Sequence, residues 1–380
     1  MVRVAVPKET IAGETRVALV PESVGKLVKA GIEVVVQSGA GESASLADAA
    51  YEKAGATIAG APPELYAGAT VIAKVQRPTS AEIGLFPPEA ILISLLNPGV
   101  DDSLFEELER TGVTALALEK VPRITRAQSM DVLSSQATVS GYKAALIGAA
   151  RLGKFLPMLT TAAGSIPPAK AFVIGAGVAG LQAIATVRRL GAIVSAFDIR
   201  PAAAEQVQSL GASFVASELV SKEAETAGGY AKEQSSTDQE RTLAAIGAHI
   251  PAIDLVITTA QIPGRPAPRL ITAEMVRAMR PGSVIVDLAA ESGGNCELTR
   301  PGETVEVDGV TIIGPTNLAA TLPLHASQMF SRNVLTLLQH LVKEGEMRLD
   351  VEDEIVGPMC VARGSVAMAS ASPVATDDQL

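Results

Sequence analysis

The run Gly175-Ala176-Gly177-Val178-Ala179-Gly180 has the spacing of a phosphate-binding turn. The apolar segment Ala171–Ile174 precedes it, and the helix-like run Val178–Leu190 follows. In that context each glycine has its own task. Gly175 permits a tight turn, Gly177 lets backbone approach a pyrophosphate, and Gly180 lets the helix pack closely on a sheet. The first amides of the helix and its dipole then favour a diphosphate. Asp198 ends the next apolar run, 18 residues beyond Gly180. A carboxylate there accepts hydrogen bonds from an adenosine ribose and repels a 2′-phosphate, which points to NAD rather than NADP. Arg200 tempers that preference, because a nearby arginine can accommodate a 2′-phosphate. The alternative is an ordinary glycine turn. A second run, Ser38-Gly39-Ala40-Gly41-Glu42-Ser43, also follows a strand-like segment. Ala44 stands where its third glycine would be, and no acid closes the next strand candidate, Thr70–Val75, so it reads as a plain loop.

Arg123, Gln128, Asp131 and Ser134 form a second group, on a polar run that breaks the apolar rhythm. Hydride transfer between two nicotinamide rings takes no proton from the protein; it requires the rings to be close and correctly faced. Amide, hydroxyl and guanidinium groups suit that task. The alternative is a polar connector in which Asp131 or Ser129 caps the following helix. The segment Thr226–Lys232, with Gly228, Gly229 and Tyr230, could close over a nucleotide as a flap or form a surface loop. Arg16 and Lys74, with Lys8 and Glu9, lie at or just past strand ends, where open α/β sheets place ligands. They could hold a carboxylate, but surface ion pairing is the commoner role. His249, His325 and His340 fall in no pair or triad spacing and read as surface or helix-packing residues. There is no G-x-S-x-G elbow and no metal-ligand spacing. Cys296 and Cys360 give no disulfide framework, and a reducing compartment is expected.

The elements that must position these groups follow from composition and pattern. The chain has 380 residues, of which 48% are hydrophobic and 19% charged, enough apolar material for two or more large cores. Its net charge of −10 disfavours non-specific binding to nucleic acid or anionic membrane. No secretory signal or bilayer-spanning apolar run is evident. Strand candidates Val2–Val6, Ile32–Gln37, Thr70–Val75, Ile91–Leu95 and Val113–Leu118 are apolar on nearly every residue and alternate with helical candidates Glu22–Ala30, Leu46–Ala54 and Leu104–Arg110. Such strands are buried on both faces. A second series, Ala171–Ile174, Ile193–Phe197, Asp254–Thr258, Ser283–Leu288 and Thr311–Ile313, starts at the glycine turn. The expected fold class is α/β, with two doubly wound, mostly parallel-sheet (Rossmann-like) domains joined by long helices. The first domain is expected over 1–130 plus 325–380, and the nucleotide domain over 140–320. Linking helices are expected over 131–154 and 325–342, and a frayed tail over 367–380.

The chain resembles the soluble NAD(H)-binding component of proton-translocating nicotinamide nucleotide transhydrogenase, a family related to alanine dehydrogenase. The segment Val6–Glu22 and the nucleotide segment Gly175–Ala192 are common to both branches. The run Pro122–Gln136, PRITRAQSMDVLSSQ, resembles the transhydrogenase branch specifically, and Ala224–Glu233 resembles its mobile loop. The resemblance implies that Arg123, Gln128, Asp131 and Ser134 form the nicotinamide-side loop. Arg123 and Ser134 would contact NAD, and Gln128 would reach toward the partner's nucleotide. It places Gly175, Gly177, Val178 and Gly180 at the diphosphate, Asp198, Ile199 and Arg200 at the adenosine ribose, and Gly229 and Tyr230 in the flap. Gln261 and Thr242 are given no role. The implied cofactor is NAD (NADH), with NADP on a partner subunit. The implied assembly is a homodimer in a split complex with separate NADP-binding and membrane-spanning subunits, on the cytoplasmic face of the inner membrane. Alanine dehydrogenase would use a lysine, an arginine and a histidine around pyruvate. Lys74 and Arg16 align with the first two, but Ser94–Leu96 contains no histidine. The rival readings are therefore an alanine dehydrogenase and a non-catalytic NAD-binding module.

Overall fold

The computed structural model describes residues 1–99, 102–219, 235–262 and 265–364. The expected flap, with Gly229 and Tyr230, and the expected frayed tail lie outside the described residues. The chain divides into two compact units, Met1–Gln136 with the described residues from Ala320 onward, and Ala137–Ala319.

The first unit contains β1 (Arg3–Val6), β2 (Glu33–Gln37), β3 (Thr57–Ala59), β4 (Val71–Ala73), β5 (Ile91–Ser94) and β6 (Thr114–Ala117). These run parallel in the order β6-β5-β4-β1-β2-β3, and the strand Cys360–Ala362 adds antiparallel beyond β6. The strands are apolar throughout because both faces are covered. Val4, Val6, Val34 and Val36 pack with Phe330, Val334 and Leu338 of the helix Pro323–Leu341. The alternate residues Ala5, Val35, Ile72 and Leu92 pack with Tyr66, Phe86 and Leu104. The helix starts at Pro323, two residues before the expected His325, since proline is preorganised for the first turn.

The second unit begins with an antiparallel hairpin, β7 (Leu159–Thr161) and β8 (Gly164–Ile166). Its main sheet contains β9 (Lys170–Ile174), β10 (Ile193–Phe197), β11 (Ser213–Phe214), β12 (Leu255–Thr258), β13 (Val284–Asp287), β14 (Thr304–Val307) and β15 (Val310–Ile313). The order is β11-β10-β9-β12-β13-β15-β14, parallel except for the β14–β15 pair. Both faces are again buried: Ala171 and Val173 of β9 face one core, Phe172 and Ile174 the other. The helix Val132–Arg151 runs across the boundary between the units. Within the second unit its glycines permit close approach. A Cβ on Gly141 would lie 2.0 Å from the Ala179 carbonyl oxygen, and one on Gly148 would lie 2.6 Å from Leu255 Cδ1.

Each sheet has one point where the strand order reverses, between β1 and β4 in the first and between β9 and β12 in the second. The carboxyl ends of strands flanking such a point open a crevice suited to ligands. Among the described residues no helix is long and apolar enough to cross a membrane, and no cluster of His, Cys, Asp and Glu could hold a metal ion.

Candidate functional site

The glycine turn lies at the reversal point of the second sheet. Gly175 follows β9 with φ of +92°, a conformation that L side chains rarely adopt. Gly177 caps the helix Val178–Arg189, whose first bond runs from the Leu181 amide to the Gly177 carbonyl at 2.8 Å. The preceding amides of this first turn have no intrahelical acceptor and are available to an anion. A Cβ on Gly180 would lie 1.9 Å from the Gly175 carbonyl oxygen, whereas one on Gly177 would meet nothing nearer than Arg200 Nη2 at 3.9 Å. The outer glycines are thus required by packing, and the middle one borders open space. Val178 is exposed beside it. This cradle fits the diphosphate of a dinucleotide.

Asp198 is buried just past β10. Its Oδ2 accepts from the Ala176 amide at 2.7 Å, which ties it to the glycine turn. Arg200 forks onto it through Nε and Nη2, at 2.9 and 2.7 Å. Ile199, between them, packs against the core behind β9. Sequence reasoning missed three supports. Thr259, just past β12, donates from Oγ1 to the Gly175 carbonyl at 2.9 Å. Asn295 clamps the same loop, accepting from the Ala260 amide at 3.0 Å and donating to its carbonyl at 2.8 Å. Asp287, at the end of β13, is fully buried and accepts from Thr258, Ala289, Cys296 and Thr299. An acid closing an apolar strand was the available signal, the same one that marks Asp198. Of the residues given no role, Gln261 is exposed and donates to the Leu288 carbonyl, and Thr242 is buried in the helix Ser236–His249.

The first sheet's reversal point holds an ion cluster. Lys74, 1% exposed, follows β4 and lies 2.6 Å from Glu82 and 3.6 Å from Glu9. Arg16, also buried, forks onto Glu14 at 2.7 and 2.8 Å and donates to Gln136 at 2.9 Å. The expectation of surface ion pairing is therefore corrected: these cations are buried, and each is neutralised by carboxylates. Lys8 does not join them; it is exposed and pairs with Glu42 at 3.5 Å. Burial raises Glu9 above its ordinary range, and Lys74 offsets this only in part. Burial also pushes Glu14 up, but the hydrogen bonds and charge of Arg16 outweigh it and bring the carboxyl down to about 2. Ser94 stands one residue beyond the registered pair Ala73–Ile93, fully buried, with its hydroxyl unpartnered among the described residues.

The Arg123–Ser134 segment is not an open connector. Thr125–Met130 forms 3-10 turns that bury Ala127 and Met130, and Asn333 donates from Nδ2 to the Ser129 carbonyl at 2.8 Å. Arg123 and Gln128 are exposed. Asp131 caps the helix Val132–Arg151, accepting from the Ser134 amide at 2.8 Å and its hydroxyl at 2.6 Å. The structure thus brings Asp131 and Ser134 together. The run Ser38–Ser43 is a loop closed on itself: Asp48 takes the Ser38 hydroxyl at 2.7 Å and the Gly39 amide at 2.9 Å. His249 bonds Ser195 at 2.8 Å and meets Phe172 edge-on, His340 bonds Asp353 at 3.2 Å, and His325 is exposed.

Two family models match the chain. The alanine dehydrogenase/PNT N-terminal domain covers residues 5–140, and the C-terminal domain of the same family covers 144–369. The first portion of the NAD(P) transhydrogenase alpha subunit of Rhodospirillum rubrum, a separate chain, is 47% identical over 369 residues, 95% of this chain and 96% of that one. A solved transhydrogenase structure from Sinorhizobium meliloti is 46% identical and superposes with a TM-score of 0.87, over 95% of this chain and 99% of the other. A solved L-alanine dehydrogenase is 28% identical, with a TM-score of 0.81 over 95% of each chain.

Proposed function

The chain belongs to the alanine dehydrogenase/PNT family, and from that premise we propose that it is the NAD(H)-binding subunit of a proton-translocating transhydrogenase. NADH supplies the hydride, which passes directly to NADP held on a partner subunit. The chain's own residues bind and orient. Gly175, Gly177, Val178 and Gly180 seat the diphosphate, Asp198 and Ile199 with Arg200 serve the adenosine ribose, and Arg123, Gln128, Asp131 and Ser134 serve the nicotinamide end. Gly229 and Tyr230 belong, in this reading, to a flap that excludes water. Because transfer between two nicotinamides leaves no proton to manage, orientation is the main demand on the protein.

The observation that carries this reading against alanine dehydrogenation is the state of Lys74. Reductive amination needs a proton donor and a cation for the substrate carboxylate. Lys74 is instead committed to Glu9 and Glu82, Arg16 is forked onto Glu14, and Ser94 stands where an imidazole would be required. The greater identity to transhydrogenase chains, 46–47% against 28%, supports the same choice.

Association with a second copy is included in the proposal. The hairpin β7–β8 is exposed on nearly every residue, and Phe155, Met158 and Ile166 are 55%, 65% and 44% exposed. An exposed apolar surface of this kind favours association. The complex would include the NADP-binding subunit and a membrane-spanning subunit, which would hold this chain at the cytoplasmic face of the inner membrane and move the protons.

The test is NADH oxidation by the purified protein given pyruvate and ammonium, in a preparation that binds NADH by fluorescence. The expected result is binding without turnover. Sustained turnover would overturn the proposal in favour of alanine dehydrogenase.

A further inference from the structure

Asp198 has a fully subscribed carboxylate. A carboxylate offers about four acceptor positions. Oδ1 accepts from the Arg200 amide and Arg200 Nε, each at 2.9 Å, and Oδ2 accepts from the Ala176 amide and Arg200 Nη2, each at 2.7 Å. Two of these donors are backbone groups fixed by the turns after β9 and β10. The other two belong to one side chain, and a ribose diol would need those same positions. Arg200 Nη2 also lies 3.9 Å from where a Cβ on Gly177 would be, so the guanidinium borders the space beside the glycine turn.

We propose that Arg200 competes with the adenosine ribose for Asp198 and so sets both the affinity for NAD(H) and the discrimination against NADP(H). The proposal rests on the reading of Asp198 as the ribose acceptor. Arg200 is placed to leave: it precedes the helix Pro201–Ser209, its backbone is extended, and its side chain forms no cap bond to that helix. A diol must displace the two side-chain N–H donors before it can bond the carboxylate. A 2′-phosphate brings acceptors and negative charge, so it gains nothing from Asp198 and pairs with the guanidinium. One residue thus opposes the diol and favours the phosphate.

The experiment is titration of NADH and NADPH into the full-length protein, followed by nicotinamide fluorescence, for the native chain, Arg200→Ala, Arg200→Lys and Asp198→Asn. Arg200→Ala is expected to bind NADH about tenfold more tightly, the scale of one to two displaced charge-assisted hydrogen bonds, while NADPH binds no more tightly than before. Arg200→Lys, which retains the cation but lacks the fork, should tighten NADH by a smaller factor, and it tests the same point should the alanine variant fold poorly. Unchanged or weaker NADH binding in both variants would overturn the proposal. Equal tightening of NADH and NADPH would also overturn it, since that would mean simple relief of crowding. Asp198→Asn separates the underlying reading: unchanged NADH affinity there would show that Asp198 is not the ribose acceptor.

Discussion

Gly180→Ala is expected to abolish measurable NADH binding and to lower stability. The added Cβ would lie 1.9 Å from the Gly175 carbonyl oxygen, 2.9 Å from the Gly175 carbonyl carbon and 3.1 Å from Thr259 Oγ1. Two of these are backbone atoms and cannot rotate aside. The helix Val178–Arg189 must therefore move away from β9, which also strains the Thr259–Gly175 hydrogen bond. Overpacking of this kind costs about 1–3 kcal/mol. Displacing the helix amides from the phosphate should weaken NADH by about 100-fold or more, near 2.7 kcal/mol. Gly177→Ala is the informative contrast. Its Cβ enters open space, so the melting temperature should stay near the native value while NADH affinity still falls, because the methyl group occupies the approach to the pyrophosphate. Thermal unfolding and fluorescence titration of the two variants separate the roles. Native-like NADH affinity in Gly180→Ala would mean that the dinucleotide does not bind on this turn.

Lys74→Met is expected to have the second-largest effect. The side chain that replaces the ammonium is of similar length, but Glu9 and Glu82 lose the cation between them. Glu9 is already raised by burial, with Lys74 the principal influence holding it down. Glu82 is lowered only because the charge and hydrogen bond of Lys74 work against its burial. Breaking one side of a buried charge cluster costs about 3–5 kcal/mol. The sign of the pH dependence follows from the carboxylates that remain. Without Lys74, burial prevails and their folded-state pKa values lie above the unfolded ones, so folding prefers their neutral form. The penalty is then absent below the ordinary carboxylate range and grows as pH rises through it. Chemical denaturation should show a larger deficit at pH 8 than at pH 4.5. A deficit independent of pH would mean that Lys74 contributes packing rather than charge compensation.

Much of the fold was legible because the central strands are apolar on every residue. Ile193–Phe197 has the observed bounds, and the other central strands differ only at their ends. The three-residue strand Thr57–Ala59 and the antiparallel edge strands Thr304–Val307 and Cys360–Ala362 were not read. Short edge segments carry little periodicity, and their pairing is decided by distant partners. The glycine turn and Asp198 could be read because each constraint there is local. The ion cluster could not, since Lys74 meets Glu9 from 65 positions away and Arg16 meets Gln136 from 120. A charged residue reads as a surface residue until its partners are known. Arg200 was legible as a neighbour of Asp198; its competition for the carboxylate depends on a side-chain direction that spacing does not specify.

The proposed function stands or falls on direct transfer of hydride, and an isotope follows that transfer atom by atom. The protein should be loaded with NADH carrying deuterium at the transferring position and mixed with the NADP-binding partner subunit. The expected result is deuterium at C4 of the NADPH formed, with none lost to water, and a slower transfer in Arg123→Ala. Loss of the label to solvent, or oxidation of NADH without label in NADPH, would contradict it.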